Sequence, residues 1–259
     1  MNPVPSPFMQ SLIDLSILAG SEILAIYATD FSAKAKGDLT PVTEADEAAE
    51  KIILAGLKKI DAAIPVISEE AASAGVIPEV SEKFFLVDPL DGTKEFISRN
   101  GEFTVNIALV KNGAPVAGVV YAPALKRIFW GEADKGAAQG EIAGDIATGW
   151  KPLGVRGVPA DGAIVVASRS HRDQATEDYL KTVKVKSLCS AGSSLKFCLV
   201  AAAEADLYPR FGRTMEWDTA AGAAVLAAAG GKVVTVEGPA LAYGKRQRGY
   251  DNPGFIASA

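Results

Sequence analysis

Phe84-Phe85-Leu86-Val87-Asp88-Pro89-Leu90-Asp91-Gly92-Thr93-Lys94-Glu95-Phe96 is the stretch on which the reading of the chain turns. It opens as a short apolar run, which predicts a buried strand. The run breaks at Asp88-Pro89, because proline cannot donate to a strand ladder and holds the preceding residue extended. Asp88 and Asp91 therefore stand where a strand runs out into a turn, a position that presents chemistry on a rigid support. Gly92 permits close backbone approach, and Thr93 adds a hydroxyl beside its own amide. Such a cluster of hard oxygen donors suits a hard cation, Mg²⁺ first. In isolation Asp-x-x-Asp-Gly is more often a solvated turn than a metal site, so the rest of the sequence has to decide.

The chain has 259 residues, 49% of them apolar and 22% charged. That is enough for one large domain or two lobes with a substantial core, and no low-complexity tract interrupts it. With 26 basic and 31 acidic residues the net charge is −5. This argues against nucleic acid or an anionic membrane as the main partner, although an acidic protein can still bind anions where cations or a metal are placed locally. No unbroken apolar run reaches the ~18 residues of a membrane span, and Met1-Asn2-Pro3-Val4-Pro5 has no basic-then-apolar leader pattern. The expectation is a cytoplasmic protein without an integral membrane span, peripheral contact with the inner membrane remaining open. Composition does not choose between monomer and homodimer. Cys189 and Cys198 read as buried, reduced fillers rather than a disulfide framework.

Working outward, Leu12, Ile13, Ile17, Leu24 and Tyr27 recur at helical spacing and predict an opening helix over 9–27. Lys36-Gly37-Asp38-Leu39-Thr40-Pro41 reads as a turn. Thr43 then caps a second helix, with Asp46 as a short capping-box acid and Ala45, Ala48, Ala49, Ile52, Ile53, Leu57 and Ile60 on its expected buried stripe. On local grounds Asp46 is first a helix-start acid favoured by the macrodipole. Pro65 to Ser68 is a short strand ending in Glu69-Glu70. Residues 104–111 and 115–121 flank Asn112-Gly113, a strong hairpin signal, and 126–131 form a further strand. The Gly- and Pro-rich stretch 140–159 is the expected boundary between an N-terminal α+β lobe (1–150) and a C-terminal α/β lobe (151–259). Beyond it, strands at 163–167, 183–188, 206–208 and 232–236 alternate with helices at 174–182, 195–203 and from Trp217 to Gly230-Gly231.

Several carboxylates thus fall at strand ends or helix starts: Asp46, Glu69, Asp88, Asp91 and Asp218. A serine hydrolase is disfavoured, since His171 is the sole histidine and no Gly-x-Ser-x-Gly elbow occurs. The common zinc signatures and the glycine-rich phosphate loops are absent as well. Trp130 and Trp150 are most simply core. Asp88-Pro89-Leu90-Asp91-Gly92-Thr93 through Phe96 resembles the first signature of the inositol monophosphatase superfamily. Trp217-Asp218-Thr219-Ala220-Ala221-Gly222 resembles the second, Ile67-Ser68-Glu69-Glu70 its acidic strand end, and Thr43-Glu44-Ala45-Asp46 its helix start. These motifs stand in order over residues 36 to 231. Further runs, Arg99 to Ala108, Ser168 to His171, Gly192-Ser193-Ser194-Leu195-Lys196 and Leu207-Tyr208-Pro209-Arg210, are similar to the bacterial 3′(2′),5′-bisphosphate nucleotidase branch. The Ala-rich loop after Glu70 is a local departure that removes no ligand.

The resemblance implies a layered αβαβα sandwich, an α/β fold (α+β layered) of two lobes with the metal site at their junction. It implies an Mg²⁺-dependent, lithium-sensitive phosphatase holding two or three ions. Glu69, Asp88 and the Leu90 carbonyl would hold one, Asp88, Asp91 and Asp218 a second, and Glu69 with waters a third. Asp46 and Thr93 would activate the attacking water. Gly92, Thr93, His171, Gly192, Ser193, Ser194, Lys196 and Arg210 would bind substrate. The implied reaction converts adenosine 3′,5′-bisphosphate to AMP, with 3′-phosphoadenylyl sulfate as a further substrate, in sulfur assimilation. An inositol or other sugar-phosphate phosphatase of the same superfamily is the alternative, and a non-catalytic nucleotide sensor the alternative of another class. For Lys196 and the serines, helix capping and a solvated cation is the competing local reading.

Overall fold

The computed structural model describes residues 3–31, 33–35, 41–167 and 173–259. Helix α1 (Pro7–Tyr27) starts at Ser6, whose hydroxyl accepts the Met9 N–H. Strands β1 (Ala33–Ala35) and β2 (Pro41–Thr43) form a small antiparallel ribbon leading into α2 (Glu44–Ile60). There follow β3 (Val66–Ser68), the one-turn α3 (Glu69–Ser73), β4 (Lys83–Asp91) and the equally short α4 (Thr93–Ile97). Five strands then run in succession: β5 (Thr104–Lys111), β6 (Ala114–Ala122), β7 (Arg127–Glu132), β8 (Gly136–Ala143) and β9 (Ile146–Pro152). The second half holds β10 (Ala163–Ala167), α5 (Gln174–Thr182), β11 (Val185–Ser190), α6 (Leu195–Ala201) and β12 (Leu207–Arg210). It ends with α7 (Glu216–Ala228), β13 (Lys232–Thr235) and β14 (Phe255–Ser258).

Strands β3 to β9 make a seven-stranded sheet in sequential order, and β11-β10-β12-β14-β13 make a five-stranded sheet. One face of the larger sheet is covered by α1 and α2, through Leu12, Ile13, Ile53 and Leu57 packed on Phe85, Val105 and Val119. Its other face meets the inner face of the smaller sheet across α6 and α7, with Phe84, Leu86, Phe197, Val225 and Phe255 in one core. Helix α5 covers the outer face of the smaller sheet through Tyr179 and Leu180. The layers therefore run αβαβα, as expected.

Two readings shift. Residues 140–152, assigned to a boundary from their glycines, continue the large sheet as β8 and β9, and the chain leaves that sheet only after Pro152. Gly140 reflects close packing, since a Cβ there would lie 2.8 Å from the Trp150 ring, whereas Gly144 (φ 63°) and Gly149 (φ 65°) serve backbone turns within the sheet. Helix α1, at 21 residues, has the length and composition of a membrane span, but half of its apolar window is buried in the core. The hairpin reading holds: Asn112 (φ 52°) and Gly113 (φ 75°) both take the positive φ of a type I′ turn.

The layering places α7 with little slack. Gly118 on β6 and Gly131 on β7 bear no side chain where α7 crosses. A Cβ at either would come within 2.6 Å of the helix, at the Ala221 carbonyl and the Val225 Cα respectively. Small residues on both sides let helix and sheet touch along their backbones, which fixes where the start of α7 projects.

Candidate active site

Strand register explains why separated carboxylates converge. β3 and β4 pair in parallel with Ser68 opposite Val87, so Glu69 emerges beside Asp88. Asp88 and Asp91 are three residues apart and in a regular strand would point to opposite faces. Asp88 pairs with Asn106 and Asp91 with Thr104, so three steps on β4 answer two on β5. That one-residue bulge, at Pro89-Leu90 where no ladder donor is available, returns both aspartates to one face. Asp218, in the first turn of α7, arrives from the layer beneath. Glu69, Asp88 and Asp218 each offer a carboxylate oxygen, and these oxygens lie within 4.8 Å of one another.

All three line a cavity of about 260 Å³ together with Leu90, Asp91, Gly92, Thr93, Ser193, Lys196 and Arg210. Packed negative charge shows in the titration of the group. Burial, reinforced by Glu69, Asp91 and Asp218, pushes the Asp88 carboxyl well above the usual carboxylate range. Burial, with Asp91 and Glu69, raises Asp218 likewise. Asp91 is pushed up to about 6 by burial, against the pull of Lys196 and of the Ser194 N–H. A site that disfavours its own ionised form in this way is one that a cation would relieve.

The carboxylates of Asp88, Asp91, Asp218 and Asp46 are each aimed by a backbone donor. The Leu90 N–H donates to Asp88 Oδ1 at 3.0 Å and the Met215 N–H to Asp218 Oδ2 at 2.8 Å. Asp91 Oδ2 accepts from the Ser194 N–H at 2.6 Å, the Ser194 hydroxyl at 3.2 Å and Asn106 Nδ2 at 3.4 Å. Asp46 combines its two readings. Its Oδ2 takes the Thr43 N–H (2.8 Å) and hydroxyl (2.7 Å) as a helix cap, while its Oδ1 accepts the Thr93 hydroxyl at 3.2 Å. Asp46 is buried behind Thr93, and Thr93 faces the cavity. Gly92 takes φ 92°, and a Cβ there would fall 2.2 Å from Ser193 Oγ, so any side chain at the elbow is strained and displaces Ser193.

The Gly192-Ser193-Ser194-Leu195-Lys196 run divides its labour. Gly192 donates to Glu102 Oε2 at 3.0 Å, and the Ser193 hydroxyl reaches the carbonyls of Asp91 (2.7 Å) and Glu102 (2.9 Å). With Ser194 on Asp91, these three brace the cavity-facing elbow. Lys196 is not a solvated cation: it is buried, lines the cavity, and donates to the carbonyls of Ser193 (2.7 Å) and Ala191 (3.2 Å). Burial draws its pKa down to about 8. Arg210 lines the same cavity and donates to the Arg213 carbonyl at 3.1 Å. His171 lies outside the described residues. Sequence reading missed Asn106, Glu102, Tyr208, Arg213 and Thr214, all at the site or bracing it. Glu102, Asn106 and Tyr208 stand inside the family-like runs Arg99 to Ala108 and Leu207 to Arg210, which gave them a signal without a role, while Arg213-Thr214 stand directly before the helix of Asp218.

The chain belongs to the inositol monophosphatase family, whose pattern it matches over residues 5–259. Within that family it is 46% identical to the 3′(2′),5′-bisphosphate nucleotidase CysQ of Salmonella typhimurium, over 95% of this chain and 98% of that protein. Identity to the protein of the same name in Escherichia coli K12 is 44%, over 96% and 99% of the two chains. Among solved structures, CysQ from Bacteroides thetaiotaomicron superposes with a TM-score of 0.80 at 40% identity, covering 97% and 96% of the chains. The Anabaena inositol monophosphatase shares the fold, with a TM-score of 0.75 at 24% identity over 97% and 90%.

Proposed function

We propose that this protein is an Mg²⁺-dependent phosphomonoesterase that removes the 3′-phosphate of adenosine 3′,5′-bisphosphate, giving AMP and phosphate. By the same chemistry it would act on 3′-phosphoadenylyl sulfate, and it would serve sulfur assimilation. The observation that carries the reading is the convergence of the Glu69, Asp88 and Asp218 oxygens beside a Thr93–Asp46 hydroxyl–carboxylate pair, in a cavity also lined by Lys196 and Arg210. Full-length similarity to proteins named for that activity supports the substrate.

The donor set fits Mg²⁺, being hard carboxylate and carbonyl oxygens without sulfur or imidazole. Glu69, Asp88 and the Leu90 carbonyl would hold one ion and Asp88, Asp91 and Asp218 a second. Glu69 with waters would hold a third. Bound Mg²⁺ supplies a lowered pKa for water and charge neutralisation at the attacking and leaving oxygens. The rest of the work falls to the chain. Asp46 is fixed by Thr43 and takes the Thr93 hydroxyl proton in its hydrogen bond. A Thr93 Oγ1 lone pair is thereby left to accept the proton of the attacking water, with Asp46 as final acceptor. Gly92 and Thr93 hold the phosphate that reacts. Lys196, with Arg210, faces the second phosphate, while Ser193, Ser194 and Gly192 keep the elbow rigid. His171 stays in the proposal as a donor to the nucleotide on sequence grounds. The test is release of phosphate and AMP from adenosine 3′,5′-bisphosphate with Mg²⁺, and its loss in excess chelator. Binding without turnover at saturating Mg²⁺ would instead favour the nucleotide sensor.

A further inference from the structure

Helix α7 carries Asp218 in its first turn, yet the residue before the helix is Met215, whose thioether caps poorly where Ser, Thr, Asp or Asn is preferred. The helix start is held from outside, by the loop that precedes β14. The Glu216 N–H donates to the Tyr250 carbonyl at 2.9 Å, and the Asn252 N–H to the Thr214 carbonyl at 2.9 Å. Asn252 Nδ2 reaches back to the Met215 carbonyl at 2.8 Å and to Thr219 Oγ1 at 3.1 Å.

Glu216 is the other half of this attachment. It is 0% exposed, an ionisable side chain in the core that the reaction does not use. Its carboxylate accepts the Gly244 N–H at 2.6 Å and the Lys245 N–H at 2.8 Å, and it pairs with Lys245 Nζ at 2.8 Å. Lys245 Nζ in turn donates to Asn252 Oδ1 at 3.0 Å. A buried charge is tolerated only when paired and hydrogen-bonded, and losing one partner strands the other. The network is thus all-or-none, and its output is the position of Met215, whose N–H aims Asp218 Oδ2.

We propose that Glu216, Lys245 and Asn252 are positioning residues for the cation site. They clamp the first turn of α7 to the C-terminal loop and hold the Asp218 carboxylate at the spacing from Glu69 and Asp88 that a divalent ion requires. The inference rests on the reading of those three carboxylates as cation ligands.

The test is Mn²⁺ binding to the full chain, followed by electron paramagnetic resonance and independent of turnover, in wild type, Glu216→Gln and Asn252→Ala. Glu216→Gln keeps an acceptor for the backbone amides but loses the charge that holds Lys245. Asn252→Ala leaves the Glu216–Lys245 pair in place and decides the matter should Glu216→Gln fail to fold. The control is Val165→Ala, in the core on the far side of the small sheet. Both lock variants are expected to bind Mn²⁺ at least tenfold more weakly at a temperature where all proteins are folded, with the control within twofold of wild type. Lock variants that fold and bind within twofold of wild type would overturn the proposal. So would an equal loss in the control, which would mark the network as general scaffolding. No Mn²⁺ binding in wild type would instead overturn the underlying reading of Glu69, Asp88 and Asp218, and the lock with it.

Discussion

Replacing Asp91 by asparagine should abolish turnover while making the metal-free protein more stable at neutral pH. The folded protein raises the Asp91 carboxyl from its ordinary 3.8 to about 6, chiefly through burial, with Glu69 adding to it. A carboxyl raised on folding binds its proton more tightly in the native state, so stability falls as pH rises from about 4 through about 6 and stays low above. At about 1.4 kcal/mol per unit, the charge at position 91 costs the metal-free fold roughly 3 kcal/mol at pH 8. Asparagine removes that cost and still offers an oxygen to the Ser194 N–H, now as a neutral bond weaker by about 1 kcal/mol. The net gain is about 2 kcal/mol at pH 8, or roughly 4–8 °C in melting temperature. At pH 4, where Asp91 is protonated in the folded protein, the gain should vanish or reverse. Mg²⁺ should invert the order, because the wild type keeps an anionic ligand that the variant lacks. Urea titrations in chelator at pH 4 and pH 8, and again with Mg²⁺, measure all of this. A variant no more stable than wild type at pH 8 in chelator, or one keeping most of its activity at saturating Mg²⁺, refutes the reasoning.

Other outcomes follow from the same geometry. Lys196→Ala should raise KM for adenosine 3′,5′-bisphosphate about tenfold or more, from roughly 1.5–3 kcal/mol of charge-assisted hydrogen bonding. Hydrolysis of adenosine 3′-monophosphate should change far less; equal losses on both substrates would remove Lys196 from the second phosphate. Because burial sets the Lys196 pKa at about 8 in the free protein, KM for the bisphosphate should rise above pH 8 in wild type and stay flat in the variant. Gly92→Ala places a methyl 2.2 Å from Ser193 Oγ at a φ of 92°, and should lower stability by about 1–3 kcal/mol and kcat with it, read by thermal melts and turnover. Millimolar Li⁺ should inhibit at limiting Mg²⁺, since it fits an Mg²⁺ position with half the charge; unaffected activity would count against a site of this type.

Much of this was legible in the sequence because the ligands sit at chain features with local signatures. Asp88-Pro89-Leu90-Asp91-Gly92-Thr93 announces a strand running out into a turn with a glycine for close approach. The structure carries the strand past the expected break at Asp88-Pro89 to Asp91, through a bulge that the sequence did not reveal, and puts Gly92 at φ 92°. Thr43 and Asp46 read as a capping box and form one. The convergence of Glu69 with Asp88 was not legible from spacing, because it depends on β3 pairing with β4 in parallel, which no local pattern encodes. Lys196 was ambiguous for a related reason: one face of a seven-residue helix gives too short a period to tell buried from solvated. The glycines of 140–159 suggested a lobe boundary because one needed for close packing on Trp150 (Gly140), or for a turn inside a sheet (Gly144, Gly149), looks the same in sequence as one between lobes. Glu216 reads as an ordinary helix-start acid, and its burial is decided by Lys245 and Asn252 some thirty residues on.

The most direct test of the central claim is kcat/KM, with and without Mg²⁺, on adenosine 3′,5′-bisphosphate, inositol 1-phosphate and fructose 1,6-bisphosphate. Hydrolysis should be strictly Mg²⁺-dependent, with adenosine 3′,5′-bisphosphate preferred over the other two by at least tenfold and AMP as its product. Equal or greater efficiency on inositol 1-phosphate, or hydrolysis that survives removal of the metal, would contradict that claim.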